Sequence, residues 1–127
     1  MGFTKDEVTW IPVPFNNAIQ PGDKPFDLYL TQVSYSEERT QAVDLSDGYF
    51  DLVQAVVSLS DNPIAGVTTV AGLKDFKLGA PVGTTSLTYI TDVIAPTAEA
   101  SVYDTLDAAI QAISAKQIDG VVVDLPT

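Results

Sequence analysis

The sequence predicts an α/β fold in which a mostly parallel sheet is flanked by helices. Short apolar segments alternate along the chain with segments whose apolar residues recur every three or four positions, the pattern of strands alternating with helices. Segment 52–59 is almost continuously apolar, as in a strand buried on both faces, and segment 120–124 is predicted to be a buried strand that ends in an acid. At 127 residues and 46% hydrophobic composition, the chain can bury one core. Right-handed crossovers would bring the helix N-termini to the carboxyl edge of the sheet, where open α/β sheets usually bind ligands.

The first part of the chain is predicted to contain three strands and two helical turns. Segment 8–14 is rich in β-branched and aromatic residues, and Pro12 and Pro14 interrupt it, which favours a strand at a sheet edge. The predicted strands are 8–14, 26–33 and 42–45, and the predicted helical turns lie within 15–20 and 34–41.

The second part is predicted to contain four strands, a helical turn and two helices. Thr84 or Thr85 is predicted to cap the first helix, and Asp104 to cap the second, which is the clearest helix in the chain and ends near Lys116. The predicted strands are 52–59, 76–82, 98–103 and 120–124, the helical turn is 70–74, and the apolar faces of the helices are Leu87, Ile90 and Ile94, then Leu106, Ala109, Ile110 and Ile113.

Composition excludes several kinds of function. With 6 basic and 17 acidic residues and a net charge of −11, the chain is not expected to bind nucleic acid or an anionic membrane surface, since both require clustered Lys and Arg. It has no cysteine and no histidine, which removes thiolate and imidazole chemistry. Asp44, Asp47 and Asp51 lack the spacing of a calcium loop. We therefore predict no metal site and no cofactor.

Three features suggest a receptor for an amino-acid zwitterion. Arg39 is the only arginine, and its planar guanidinium suits a carboxylate. The segment 83–86 is small and polar and opens a helix, where backbone N–H groups favour an anion. Asp124 ends an apolar strand, and a ligand ammonium would offset the cost of a charge there. The alternatives are a surface arginine paired with Glu37 or Glu38, a plain helix cap, and an acid exposed at a strand end.

Several motifs, in order and at matching spacing, resemble the extracellular solute-binding proteins of polar amino-acid ABC transporters, bacterial family 3, over about Val8 to Pro126. The motifs are Phe26-Asp-Leu-Tyr-Leu, Ser34-x-Ser-Glu-Glu-Arg39, Val43-Asp-Leu-Ser-Asp-Gly-Tyr-Phe50, Leu78-Gly-Ala-Pro-Val-Gly-Thr-Thr-Ser86, Tyr103-Asp-Thr-Leu-Asp-Ala-Ala and Ile118-Asp-Gly-Val-Val-Val-Asp124.

This resemblance implies a type II periplasmic-binding-protein-like fold made of two lobes that close on the ligand. Residues 1–50 would form part of the first lobe, and residues 51–127 a second lobe that is incomplete at its C-terminal end. The family's opening strand, first helix and return crossing would lie outside this chain. We therefore expect this chain alone to bind ligand weakly or not at all.

The resemblance also implies ligand-binding residues. Arg39 would bind the α-carboxylate. Thr84 and Thr85, at the start of a helix, would also bind the ligand, Thr85 through its hydroxyl and backbone N–H. Asp124 would bind the α-ammonium. Ser34 matches a position that contributes a backbone or hydroxyl contact, and Gln32 or Thr31 stands where the family often has a small polar residue.

The function implied is the substrate-binding component of an ABC transporter, not an enzyme. Its partners would be a polar amino acid and a membrane permease, and it would act in the periplasm or outside the cell, with the signal sequence outside this chain. Two alternatives remain open at this point. One is an enzyme that resembles cyclohexadienyl dehydratase, and the other is a stand-alone truncated domain whose unpaired sheet edge favours self-association.

Overall fold

The computed structural model describes residues 2–127 and divides into two compact units, Met1–Gly48 and Tyr49–Thr127. The structure does not test whether these units correspond to the predicted lobes, so that assignment stays a prediction. The first unit has a 3₁₀ turn at Lys5–Glu7 and two short helices, α1 (Phe15–Ile19) and α2 (Glu37–Thr40).

The three strands predicted in the first unit are wrong, because residues 2–48 form no strand. A β-strand exists only when a neighbour completes its hydrogen-bond ladder, and β propensity reports only how well side chains fit a pleated surface. Segments 8–14, 26–33 and 42–45 have no such neighbour, and several of their apolar side chains remain exposed, including those of Trp10, Leu28 and Leu30. The two helical turns predicted in this unit are confirmed by α1 and α2.

The second unit contains a four-stranded sheet, which confirms the predicted α/β class and its mostly parallel sheet. Its strands are β1 Gln54–Val57, β2 Leu78–Pro81, β3 Ser101–Tyr103 and β4 Gly120–Asp124. They lie in the order β1-β4-β2-β3, with β2 parallel to both β3 and β4 and β1 antiparallel to β4. Strand β1 is an edge strand that is only partly buried, so the prediction that segment 52–59 would be buried on both faces is wrong.

The central strands of the second unit alternate their side chains between two cores. Val122 packs with one cluster, while Val121 and Val123 pack with the other, because successive side chains of a strand point to opposite faces. Helix α3 (Thr85–Thr88) continues as a π-helix over Tyr89–Ile94 and supplies Ile90 and Ile94 to the first core. Helix α4 (Leu106–Ser114) supplies Ala109, Ala112 and Ile113 to the second.

The capping prediction for α4 is wrong by one residue. The hydroxyl of Thr105, and not the carboxylate of Asp104, accepts a hydrogen bond from the Ala108 N–H, at 3.2 Å. Ile110, expected on the apolar face, is exposed. Thr84 caps α3 through the same kind of bond from Leu87, as one of the two predicted candidates. Two 3₁₀ turns, Pro63–Gly66 and Val70–Leu73, complete the unit.

Two glycines allow close approach within the sheet. A Cβ on Gly79 would lie 2.9 Å from the carbonyl oxygen of Ser101 and 2.7 Å from the Tyr103 ring. A Cβ on Gly120 would lie 2.7 Å from a methyl group of Val56. Both positions are buried, so the space that a side chain would need is already filled.

Candidate functional site

The carboxyl edge of the sheet in the second unit collects the polar residues that the sequence indicated there. Since β2 and β4 are parallel, the turn after β2 and the end of β4 lie at the same edge. Antiparallel β1 begins at this edge, where Gln54 lies opposite Asp124. The edge therefore combines residues from three separate parts of the chain.

The turn after β2 is shaped by Gly83 and Thr84. Gly83 has φ of +73°, a left-handed conformation that favours glycine. The Thr84 hydroxyl donates a hydrogen bond to the Pro81 carbonyl at 2.7 Å and accepts one from the Leu87 N–H at 3.2 Å. Thr84 thus fixes the start of α3, whose first residue is Thr85.

A chain of side-chain hydrogen bonds joins three residues at this edge. The hydroxyl of Ser86 donates to Gln54 Oε1 at 2.7 Å, and Gln54 Nε2 donates to Asp124 Oδ1 at 2.6 Å. Ser86 is buried, with 5% of its surface exposed, and the other two are partly buried. Asp124 is therefore neither an acid exposed at a strand end nor a bare buried charge, since Gln54 stabilises its carboxylate.

The sequence interpretation missed Gln54. The sequence did contain a signal for it: Gln54 is the one amide side chain in the otherwise mostly apolar segment 52–59. A buried or half-buried polar side chain requires a hydrogen-bond partner, so its presence in a strand predicts a polar neighbour. Ser86 was recognised only as part of the small polar segment that opens the helix.

Arg39 lies on α2 in the first unit and is 7% exposed. Its guanidinium donates from Nη1 to the Ser34 carbonyl at 2.6 Å and lies 5.5 Å from the centre of the Phe15 ring. The Ser36 hydroxyl accepts a hydrogen bond from the Arg39 backbone N–H and caps the helix. Because its side chain is buried, Arg39 is not a surface arginine of the kind considered as an alternative.

The structure brings some predicted site residues together within each unit. In the first unit, Ser34 contacts Arg39 through its carbonyl, whereas Gln32 lies on the exposed surface. In the second unit, Thr84 and Asp124 share one sheet edge. That Arg39 and Asp124 act on one ligand stays a prediction.

A hollow of about 170 Å³ lies at the opposite, amino end of β4. Asp119 lines it and accepts hydrogen bonds from the Asn62 amide at 3.0 Å and from the Lys77 N–H at 2.8 Å. Both bonds lower the pKa of Asp119, and the bond from Asn62 has the larger effect. At the rim, Lys116 forms an exposed ion pair with Asp61 at 3.2 Å. These contacts fasten the loop after β1 to the start of β4, away from Asp124.

Two further properties of the described residues concern metal ions and membranes. Among residues 2–127, no group of three acidic side chains is arranged to hold a metal ion. No helix in the same residues is long and apolar enough to cross a bilayer.

The chain matches known proteins by family and by structure. The model of the bacterial extracellular solute-binding proteins, family 3, matches residues 2–122. No curated protein matches the sequence significantly.

Several solved structures are similar. An ancestral arginine-binding protein bound to glutamine is 32% identical, with a TM-score of 0.60, over 71% of this chain and 39% of that one. The ancestral amino acid-binding protein AncCDT-1, a precursor of cyclohexadienyl dehydratase, is 25% identical, with a TM-score of 0.76, over 91% of this chain and 52% of that one. A solute receptor for L-cysteine of Neisseria gonorrhoeae is 28% identical, with a TM-score of 0.60, over 71% of this chain and 35% of that one.

These matches confirm the resemblance drawn from the sequence motifs and the periplasmic-binding-protein-like α/β fold. The chain spans between 35% and 52% of the length of these three proteins. Because the family model matches nearly every residue, the chain belongs to the bacterial extracellular solute-binding proteins, family 3.

Proposed function

We propose that this chain belongs to the substrate-binding component of an amino-acid ABC transporter and binds a polar amino acid through its α-carboxylate and α-ammonium. Arg39 binds the carboxylate and Asp124 binds the ammonium. Similar solved structures include an ancestral arginine-binding protein bound to glutamine or to arginine and a solute receptor for L-cysteine, which supports an amino acid as the ligand.

The observation that carries the proposal is the burial of Arg39. A guanidinium has five N–H donors and does not lose its charge, so burying one is costly unless its donors are used. Ser34 accepts from one of them, and Phe15 covers part of the cation. These contacts hold the planar group in a fixed orientation, as two-point binding of a carboxylate requires.

The other predicted residues support these two. We assign Thr85 to the ligand carboxylate and Thr84 to holding the turn, because the Thr84 hydroxyl already bonds Pro81 and Leu87. Ser34 orients Arg39 through its carbonyl. We also assign Gln32, which is exposed, to a polar contact with the ligand.

The family supports the remaining assignments. It consists of extracellular solute-binding proteins, so we place the protein in the periplasm or outside the cell, delivering its ligand to a membrane permease. We assign the units Met1–Gly48 and Tyr49–Thr127 to the first and second lobes.

We propose binding without catalysis, and expect no turnover of prephenate in a direct assay. The alternative of a stand-alone domain that self-associates would pair the edge strand β3 with a second copy. Light scattering would then give a mass above that of the monomer.

The test is a titration of the full chain with amino acids, followed by ¹H–¹⁵N correlation NMR, which detects millimolar affinity. L-Arginine, L-glutamine and L-cysteine are the first probes. Of the two outcomes expected for this chain alone, weak binding or none, the proposed function requires weak binding, seen as saturable shifts for at least one of these amino acids. Arg39→Lys and Asp124→Asn should each weaken it at least tenfold, since each removes a charge-assisted hydrogen bond of about 1.5–3 kcal/mol.

Lys74→Gln is the matched control, because Lys74 is exposed and its loss changes the net charge without touching either group. The Lys74→Gln variant should bind the amino acid with the same affinity as the parent chain. Absence of binding by all twenty amino acids, or equal affinity in the Arg39 and Asp124 variants, would refute the proposed function.

A further inference from the structure

The hydrogen bonds around Gln54 define which way its amide faces. The Ser86 hydroxyl oxygen lies 2.7 Å from one end of the amide, and the Asp124 carboxylate lies 2.6 Å from the other end. An ionised carboxylate only accepts hydrogen bonds, so the end facing it must be the NH₂ group. The oxygen then faces Ser86, which donates to it. A flipped amide would lose the bond to Asp124 and place its oxygen against the carboxylate, because the Ser86 hydroxyl can donate or accept and the carboxylate can only accept.

This arrangement has a consequence for the carboxylate of Asp124. Gln54 occupies Oδ1, and among residues 2–127 no other side chain hydrogen-bonds the carboxylate. The bond restricts rotation of the carboxylate about its last side-chain torsion, which is otherwise broad. Oδ2 is thereby held in one orientation. An ammonium that binds Oδ2 then meets a group already in place, which reduces the entropy lost on binding.

The same bonds connect two elements of the site. Ser86 lies on α3, one residue after Thr85, whereas Asp124 ends β4. Gln54 comes from the edge strand β1 and joins them. One side chain, that of Gln54, therefore links the first turn of α3 to the acid that ends β4.

We propose that Gln54 is a positioning residue for amino-acid binding: with Ser86, it orients Asp124 so that Oδ2 receives the α-ammonium of the ligand. This inference rests on the proposed function and extends it to a residue that contacts no ligand atom. According to this inference, Gln54 strengthens binding of the ligand's amino group and has no effect on binding of its carboxylate.

The first experiment compares two ligands that differ only at the α-position. L-Arginine carries an ammonium there, and argininic acid carries a hydroxyl. In the full chain, Gln54→Met removes both hydrogen bonds and keeps the length of the side chain. We expect the Kd for L-arginine to rise about tenfold and the Kd for argininic acid to change less than about twofold.

Gln111→Met is the matched control, because Gln111 is exposed on α4, and it should change neither constant. A variant that merely loosened the fold would weaken both ligands equally. That result, or an unchanged Kd for L-arginine in Gln54→Met, would overturn the inference. If Gln54→Met does not fold, Ser86→Ala removes only the bond that orients the amide and is expected to change the two constants in the same unequal way.

The second experiment needs no ligand and separates this inference from the proposed function. The side-chain NH₂ signals of Gln54, assigned by their loss in Gln54→Met, should shift in both Ser86→Ala and Asp124→Asn. If neither variant moves them, the hydrogen bonds do not exist in solution and the inference fails even where amino acids bind. If both variants move them and no amino acid binds, the bonds are structural, and the positioning role fails together with the proposed function.

Discussion

Gly79→Ala tests whether the sheet of the second unit is packed as closely as the structure shows. The new methyl group would lie 2.9 Å from the backbone oxygen of Ser101 and 2.7 Å from the ring of Tyr103. The ring can turn aside, but the Ser101 oxygen is backbone and moves only if β3 moves. Inserting a methyl group into a packed core costs about 1–3 kcal/mol. Alanine also restricts the unfolded chain, which returns about 0.4–1 kcal/mol. The expected net loss of stability is about 1–2 kcal/mol.

Urea denaturation followed by far-UV circular dichroism measures this loss, with amide hydrogen exchange of 121–123 as a local measure in β4. The midpoint should fall by about 1 M, given a slope of about 1–2 kcal/mol per molar urea. Gly120→Ala should cost less, because its closest contact is a methyl group of Val56. Gly66→Ala is the matched control, with open space at its Cβ position and no left-handed φ. Equal midpoints for Gly79→Ala and Gly66→Ala would refute the close approach of β2 and β3.

Three further predictions concern stability. The hydrogen bonds to Asp119 lower its folded pKa below the unfolded value, so they stabilise the fold above about pH 4 and this contribution is lost as the pH falls through the folded pKa. The difference in Tm between the parent chain and Asp119→Asn should accordingly be larger at pH 6.5 than at pH 3, and an equal difference would contradict the assignment. Thr105→Ala should lower the free energy of unfolding by about 1 kcal/mol, because it removes the cap of α4, whereas Asp104→Ala should change it by less than about 0.5 kcal/mol; thermal melts that rank these two the other way would restore the sequence prediction. Lys116→Ala breaks an exposed ion pair with Asp61 and should lower the free energy of unfolding by less than about 1 kcal/mol, so a larger loss in urea denaturation would show that this pair matters more than its exposure implies.

The sheet of the second unit was largely predictable from the sequence. β4 has the predicted bounds, Gly120–Asp124, because three consecutive valines between a glycine and an acid leave few other ways to bury the chain. The two helices were recognisable by apolar spacing. Their caps were less so, since Asp104 and Thr105 are adjacent residues that both favour a helix start, and backbone geometry decides between them.

The first unit and part of the site were not predictable for a different reason. A strand needs a partner, and a pattern such as that of 26–33 records only the tendency to pair. The chain of hydrogen bonds through Gln54 joins residues 32 and 70 positions apart. A sequence shows that such a glutamine requires a partner, but only the register of β1 on β4 brings Asp124 opposite to it.

The antiparallel pairing of β1 with β4 has a consequence for the modularity of the second unit. The first and last strands within residues 53–125 are neighbours, and the Leu125 N–H bonds the Val53 carbonyl at 2.9 Å. The two ends of this segment are thus about 5 Å apart, the spacing of adjacent strands. Segments whose ends lie this close can be grafted into a surface loop of a host protein, or rejoined by a short linker and cut open elsewhere, with little loop-closure entropy. The segment 53–125 consequently suits such grafting.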